Sequence, residues 1–179
     1  MSINDNGIVE ALKENPQNGF RMLMAKYQES VYWHIRRLVV SHDDAQDASQ
    51  ETFVRIYRSF GNYRGDCSLR SWIYRIATNE ALRIISKRRQ EVVSIESEAT
   101  GVNLIQGDNY IDFDDKVAVK LQKAILLLPP KQQLAFNLRY YEELGFDEIA
   151  KIADSTPTSI KASYHVAKEK IIKYMNSND

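Results

Sequence analysis

The chain has 179 residues and a formal net charge of +0, with 24 basic and 24 acidic side chains. That length accommodates one ordinary domain or two small ones, and the low content of Gly (7) and Pro (4) favours long helices over turn-rich β-structure. A single cysteine, Cys67, excludes an internal disulfide and a multi-cysteine zinc site, as expected in a reducing compartment. No signal-like start or run of roughly 18 apolar residues is present, so we expect a cytoplasmic protein without a membrane span.

Apolar residues at helical spacing dominate the first half of the chain. From Phe20 to Val39 they recur at steps of three and four, which predicts a long amphipathic helix. Asp43 or Asp44 can cap a second helix, because a side-chain oxygen there accepts a hydrogen bond from first-turn amides. The predicted buried face of this second helix comprises Ala45, Ala48, Thr52, Phe53, Ile56, Tyr57 and Phe60.

A third helix is predicted from about Leu69 to Arg89. Its predicted buried residues are Trp72, Ile73, Ile76, Ala77, Ala81 and Ile84. The segment from Glu91 to Asp115 then contains seven acids, no base and no sustained apolar stripe. This composition predicts a flexible acidic linker.

Helical periodicity resumes at residues 117–128, and the following pair of prolines must end that helix. Another helix is predicted over KQQLAFNLRYYEE. Two more helices are predicted around a short turn, with Gly145 before the first, and with Thr156 and Pro157 as N-cap and first residue of the second. This arrangement resembles a helix-turn-helix.

The predicted fold is therefore all-α, with two small helical domains at residues 1–90 and 116–179 and a linker at 91–115. The second domain carries the helix-turn-helix. The three histidines are not at metal-ligand spacing, and no glycine-rich phosphate loop or nucleophile elbow occurs. We expect neither catalysis nor a metal or cofactor site.

A polar stripe follows one face of the third predicted helix, because steps of four residues return to the same face. The stripe consists of Arg75, Asn79, Arg83 and Lys87. Such a stripe is as often a solvated surface as a nucleic-acid site. However, Tyr63, Trp72 and Tyr74 lie beside arginines, and charge combined with flat rings is how proteins hold single-stranded bases. This combination favours DNA binding, although Trp72 equally suits the core.

Two further surfaces are predicted on other helices. The second helix exposes an acidic face made of Asp43, Asp44, Asp47, Gln50 and Glu51. An acidic face cannot bind nucleic acid, so it is either solvated or docks on a protein. On the last helix, the outward positions that could enter a major groove are Thr158, Ser159, Lys161, Ala162, His165 and Lys168.

Taken in order, these segments resemble the extracytoplasmic-function group of bacterial sigma factors, from Phe20 to Tyr174. DDAQDASQETFVRIYRSF is similar to the region 2.2 helix, which docks on the clamp helices of RNA polymerase. YRGDCSLRSWIYRIATNEALRIISKRR is similar to regions 2.3 and 2.4, which melt and read the minus-ten promoter element. ILLLPPKQQLAFNLRYYEELGFDEIAKIADSTPTSIKASYHVAKEKI is similar to region 4, which reads the minus-thirty-five element and touches the polymerase flap.

The resemblance implies a role for each surface. The acidic face would dock on core RNA polymerase, and the outward positions of the last helix would read the minus-thirty-five element. The minus-ten surface would comprise Tyr63, Arg64, Ser71, Trp72, Arg75, Asn79, Arg83 and Lys87. Where family members often carry extra arginines this chain has Ser163 and Val166, so phosphate and apolar contacts would dominate in the last helix. An anti-sigma factor is a further implied partner.

Two other interpretations remain open from the sequence. One is an operator-binding transcription regulator that uses the helix-turn-helix without being a polymerase subunit; stoichiometric association with core polymerase separates it from a sigma factor. The other is a helical adaptor that binds only protein, which would leave the stripe from Arg75 to Lys87 unexplained.

Overall fold

The computed structural model describes residues 2–93 and 114–177. It contains eight α-helices in these ranges: α1 (Asp5–Glu14), α2 (Pro16–Val39), α3 (His42–Ser59), α4 (Leu69–Val93), α5 (Lys116–Leu126), α6 (Pro130–Tyr140), α7 (Phe146–Ala153) and α8 (Pro157–Met175). No strand occurs in the described ranges, so the all-α prediction is confirmed. Helix α4 runs three residues past the predicted domain boundary, and most of the predicted linker lies outside the described residues.

Helix α1 was not predicted from the sequence. Asn4 caps it by accepting a 3.0 Å hydrogen bond from the Asn6 amide, and its apolar side is small. The helix packs closely on α2, where a Cβ added to Gly19 would lie 2.4 Å from the backbone nitrogen of Leu12. Tyr27 also donates a 2.8 Å hydrogen bond to Asp5. Tertiary packing on α2 therefore stabilises this short helix.

Helices α2, α3 and α4 pack against one another and form the first bundle. Five of the seven residues predicted to be buried on α3 are buried, from Ala45 to Ile56. The prediction was wrong for Tyr57, which is 51% exposed and meets Phe20 edge to face at 5.2 Å. Phe60 is half-buried in the short 3-10 turn Phe60–Asn62 that follows α3.

Helices α5, α6 and α7 pack around α8 and form the second bundle. Asp154 adopts the left-handed conformation (φ 51°) and ends α7. Thr156 then caps α8 by accepting a 3.2 Å hydrogen bond from the Ser159 amide, with Pro157 as the first helical residue. The predicted cap and turn of the helix-turn-helix therefore agree with the structure.

The two bundles share an apolar interface. Helix α4 packs on α7, and α2 packs on α6. The apolar core of the first bundle accordingly continues into Leu134, Leu138 and Ile149 of the second bundle. This arrangement of the two bundles was not predicted from the sequence.

Candidate polymerase and DNA interfaces

The acidic face of α3 is largely exposed. Ser41 caps the helix, with its Oγ accepting a hydrogen bond from the Asp44 amide at 3.4 Å, so the predicted aspartate cap is wrong. The carboxylates of Asp43 and Asp44 instead lie in the first turn, where the helix dipole favours negative charge. Asp43, Asp47 and Gln50 are exposed.

Two members of the acidic face form ion pairs. Asp44 is half-buried and pairs with Arg88 of α4, which ties the start of α3 to the end of α4. Glu51 lies 3.1 Å from the Nε of Arg55, one turn further along α3. Asp43, Asp47 and Gln50 are thus the exposed members of this face.

An open groove of about 1350 Å³ lies beside the acidic face, between α2 and α3. Apolar area predominates in its lining, to which Phe20, Met24, Phe53, Val54 and Tyr57 contribute. Gln50 belongs to both the groove and the acidic face. This groove was not predicted from the sequence. Its signal was the apolar pair Val54 and Tyr57, which lie three residues apart on α3 and are 40% and 51% exposed.

The predicted polar stripe lies on the exposed face of α4. Arg75, Asn79, Arg83 and Lys87 are all exposed. Ser71 does not share this surface. It is 2% exposed, and its backbone amide donates a 3.1 Å hydrogen bond to the Oγ of Ser68 at the start of the helix.

An aromatic cluster adjoins the start of α4. Trp72 is half-buried, and its ring centroid lies 5.3 Å from that of Tyr63 and 6.3 Å from that of Phe60. Tyr63 donates a 2.8 Å hydrogen bond to the carbonyl oxygen of Cys67, which fixes the loop before α4. Arg64 in the same loop is exposed. Two of the three predicted rings, Trp72 and Tyr63, are thus partly exposed in this cluster, and Arg64 follows Tyr63 in the chain.

Tyr74 does not contribute to the aromatic surface, although the sequence placed it there. It is 0% exposed, and its hydroxyl donates a 2.7 Å hydrogen bond to Glu142, which lies after α6. Burial, together with the negative charge of Glu142, raises the pKa of the Tyr74 hydroxyl well above its usual value. Tyr74 is therefore a neutral donor inside the interface between the bundles.

The outward positions predicted on α8 form one accessible face. Five of them are exposed: Thr158, Lys161, Ala162, His165 and Lys168. Ser159 is half-buried because its Oγ accepts a 2.6 Å hydrogen bond from Lys131 at the start of α6. The opposite side of α8 buries Ile160, Ala167 and Ile171.

Among the residues that the structure describes, no group of His, Cys, Asp or Glu side chains is arranged to hold a metal ion. Within the same ranges, no helix has the length and apolar character that crossing a membrane requires.

An all-α chain with a basic helix face, an acidic helix face and a helix-turn-helix has the features of a transcription factor that binds DNA and protein. Comparison with protein families makes this specific: residues 23–91 match Sigma-70 region 2, and residues 118–171 match Sigma-70 region 4. The chain belongs to the sigma-70 family of RNA polymerase sigma factors and is of the extracytoplasmic-function type.

Curated relatives agree with this family. The RNA polymerase sigma-H factor of Pseudomonas aeruginosa is 29% identical over 178 residues, which cover 94% of this chain and 92% of the relative. The extracytoplasmic-function RNA polymerase sigma-E factor of Escherichia coli K12 is 28% identical, with 94% and 93% covered.

Solved structures share the fold. The sigma factor RpoE of Bartonella quintana, solved in complex with the anti-sigma factor NepR, matches with a TM-score of 0.72 and 20% identity over 89% of this chain and 98% of that one. CnrH, solved in complex with the cytosolic domain of CnrY, matches with a TM-score of 0.71 and 15% identity over 98% and 99%.

The chain is thus a non-catalytic subunit that directs promoter recognition by RNA polymerase. Its partners include core polymerase and promoter DNA. This result replaces both the operator-binding regulator and the protein-only adaptor as interpretations.

Proposed function

We propose that each exposed surface of the chain carries one step of promoter recognition. The acidic face of α3 docks on the clamp helices of polymerase, the stripe on α4 melts and reads the minus-ten element, and α8 reads the minus-thirty-five element. The observation that carries this assignment is that the acidic face and the stripe lie on different helices. Asp43 and Asp47 are exposed at the start of α3, whereas the exposed bases of the stripe lie on α4.

Docking through α3 is supported by what lies next to the acidic face. Protein–protein interfaces combine a desolvated apolar centre with a polar rim. The groove between α2 and α3 can supply the apolar centre, and the acidic face beside it can supply the polar rim. Gln50 belongs to both surfaces, so a single partner helix can contact the groove and the acids together.

Minus-ten binding is supported by the neighbourhood of the α4 stripe. Arg75, Asn79 and Lys87 are exposed and suited to phosphate contacts. Trp72 and Tyr63 present partly exposed rings at the start of the same helix, where an unstacked base can bind. Charge and stacking surface therefore occur on one continuous helix and the loop before it.

Minus-thirty-five binding is supported by the exposed face of α8. Lys161, His165 and Lys168 provide donors for phosphates, while the methyl groups of Thr158 and Ala162 suit contact with thymine. Because no arginine lies on this face, few bidentate contacts to guanine form there. We expect region 4 to contribute affinity more than sequence discrimination, and to touch the polymerase flap.

An anti-sigma factor and a cytoplasmic location belong to the same proposal. The structural neighbours RpoE and CnrH were each solved with a regulatory partner, and this chain shares their fold. Core polymerase, with which the chain must assemble, occupies the cytoplasm.

Residues 1–90 and 116–179 are further proposed to fold independently, so that limited proteolysis within residues 91–115 leaves two resistant fragments. Uniform resistance of that segment would mean that the linker is docked on the rest of the chain.

The docking assignment is tested by the double variant Asp47→Lys with Glu51→Lys. The variant is expected not to co-elute with core polymerase. Its circular dichroism spectrum should stay unchanged, because surface substitutions usually change the free energy of unfolding by no more than about 0.5 kcal/mol. The matched control is Glu10→Lys with Glu14→Lys, which makes the same change of charge on exposed positions of α1. Retained co-elution of the α3 variant would remove the docking assignment.

A further inference from the structure

A buried carboxylate on α4 lies between two arginines. Glu80 is 2% exposed, and one of its oxygens lies 3.0 Å from the Nε of Arg83, three residues further along the helix. Its other oxygen lies 2.7 Å from the Nε of Arg55 on α3. The two arginine side chains are 54% and 51% exposed. Glu80 therefore anchors two cations that are themselves accessible to solvent.

The contact with Glu80 is made by the innermost nitrogen of each guanidinium group. Within the described ranges, Arg55 and Arg83 both pair with acids through Nε. Beyond Nε the guanidinium carries two terminal NH2 groups, arranged in a rigid planar fork. Because Nε is held at a buried carboxylate, the terminal groups keep a defined orientation and are left for an acceptor outside the protein.

The stability of the fold does not by itself require an acid at position 80. Ala77 and Ala81, which are buried on the same helix, are apolar. Replacing a buried ion pair by well-packed apolar side chains is often neutral or stabilising, because charges are costly to remove from water. The acid is therefore better explained by what it does to its two partners, since charge-assisted hydrogen bonds are short and directional.

Arg55 is shared between two acids that hold it unequally. Glu51 lies 3.1 Å from the same Nε, but it is one turn away on the same helix and its side chain is 39% exposed. Exposed pairs of this kind contribute little to stability, because water and salt screen them. The Glu80 side chain is only 3% exposed and holds Arg55 from the buried side. A phosphate can therefore displace Glu51 from Arg55 while the contact with Glu80 remains.

We propose that Glu80 is a positioning residue for the minus-ten surface, which fixes Arg83 for a backbone phosphate of the DNA and adds Arg55 of α3 to that surface. The proposal rests on the proposed function, because Arg83 belongs to the stripe assigned to the minus-ten element. Both Nε atoms lie within hydrogen-bonding distance of one carboxylate, so the two forks are neighbours and can hold the same phosphate or two successive ones. Phosphate contacts fix the position of a protein on DNA without reading bases, so Glu80 affects affinity more than sequence preference.

The direction of the change in affinity separates positioning from charge. Glu80→Gln removes one negative charge beside the DNA, so a role through charge alone predicts tighter binding. A positioning role predicts binding about fivefold weaker, because long side chains that were already ordered must then be ordered on binding. Glu10→Gln makes the same charge change at an exposed position of α1 and should leave the affinity unchanged.

Affinity is measured for the holoenzyme by fluorescence anisotropy on a labelled fork whose minus-ten strand is unpaired. A promoter recovered by run-off transcription of genomic fragments supplies the sequence of the fork. Glu80→Gln is also combined with Arg83→Gln. The loss caused by Glu80→Gln should then shrink from about fivefold to about twofold, because only Arg55 remains to be positioned. Partial unfolding would instead give the same loss in both backgrounds, and that result would overturn the positioning role.

Arg55→Gln tests the extension of the surface onto α3. Each phosphate contact with single-stranded DNA contributes about 0.7 to the slope of log K against log salt concentration, so the slope should become shallower by about that amount. Arg21→Gln, at an exposed position of α2, is the matched control and should keep the slope.

The outcomes separate the two proposals. Tighter or unchanged binding by Glu80→Gln would overturn the positioning role, and an unchanged slope in Arg55→Gln would remove Arg55 from the surface. Both results would leave the proposed function in place as long as Arg75→Gln weakens binding to the fork. Unchanged binding in Arg75→Gln and Arg83→Gln alike would refute the assignment of the stripe to the minus-ten element, and with it the role of Glu80.

Discussion

The carboxylate of Glu80 lies 3.0 Å from the Nε of Arg83, three residues further along α4. Its other oxygen lies 2.7 Å from the Nε of Arg55 on α3, although Glu80 itself is only 2% exposed. One buried acid thus joins α3 to α4 and orients an arginine of the predicted minus-ten surface. Hydrogen bonds to charged groups contribute more to the free energy of unfolding than hydrogen bonds between neutral groups, because an ionised group inside the protein is poorly solvated.

Glu80→Gln is therefore expected to lower the free energy of unfolding by about 1 to 3 kcal/mol. The amide keeps one acceptor oxygen and places an NH2 donor against the second guanidinium, so the replacement cannot restore both contacts. Urea denaturation measures the change, with Glu169→Gln on the exposed face of α8 as the control. Identical midpoints for the two variants would show that the Glu80 contacts do not stabilise the fold.

His34 is buried between α2 and α4, with its Nε2 2.8 Å from the Oγ1 of Thr78. Burial, and secondarily the charge of Arg37, lowers the pKa of His34 from 6.5 to about 3. Below about pH 6.5 the unfolded chain therefore binds a proton at His34, whereas the folded chain does not. Protonation thus favours the unfolded state, and stability is lost as the pH falls from 6.5 toward 3.

We expect the free energy of unfolding of the unsubstituted protein to fall more steeply with acidification than that of His34→Gln. The two slopes should differ by up to about 1.4 kcal/mol per pH unit. Glutamine can still donate to Thr78 but does not titrate, so carboxylate effects cancel in the comparison. Urea midpoints measured between pH 7 and pH 4 provide the test. Parallel pH profiles for the two proteins would contradict a buried neutral His34.

Trp72 packs against Tyr63 and Phe60 while part of its ring remains exposed. Trp72→Ala is expected to cost about 2 kcal/mol, less than the 3 to 5 kcal/mol lost from a fully buried site. Loss of base stacking should also reduce promoter melting fivefold or more, as followed by permanganate reactivity of unpaired thymines in the holoenzyme. Trp33→Ala, at a 36% exposed tryptophan on α2, should leave melting intact. Equal melting defects in both variants would assign Trp72 to packing alone.

Long helices and their caps could be predicted from the sequence, because apolar spacing and residues such as Thr156 and Pro157 act locally. Helix α1 could not be predicted in this way. It is ten residues long with two buried side chains, Ile8 and Leu12, and the close approach at Gly19 depends on a contact between helices.

The candidate surfaces were predicted in outline. A spacing of four residues puts Arg75, Asn79, Arg83 and Lys87 on one face of a helix, independently of how other helices pack against it. Burial of Ser71 and Tyr74 was not predictable, because it depends on the start of α4 and on its contact with the second bundle. The same holds for Asp44, whose partner Arg88 lies on another helix. Positions that contact a second element are the ones that local patterns misplace.

Promoter recognition by this sigma factor should require the polymerase core. The chain has a net charge of +0, so few counterions are released when it binds DNA alone, and its acids compete for its own bases. Polymerase docking on α3 would cover part of the acidic surface and hold the two DNA-binding faces at promoter spacing, which raises the effective concentration of the second face once the first has bound.

The most direct test is fluorescence anisotropy on a labelled promoter duplex and a scrambled duplex at physiological salt, with and without core polymerase. The free chain is expected to bind both duplexes weakly and about equally, and the holoenzyme is expected to prefer the promoter. Tight, sequence-specific binding by the free chain would contradict this account.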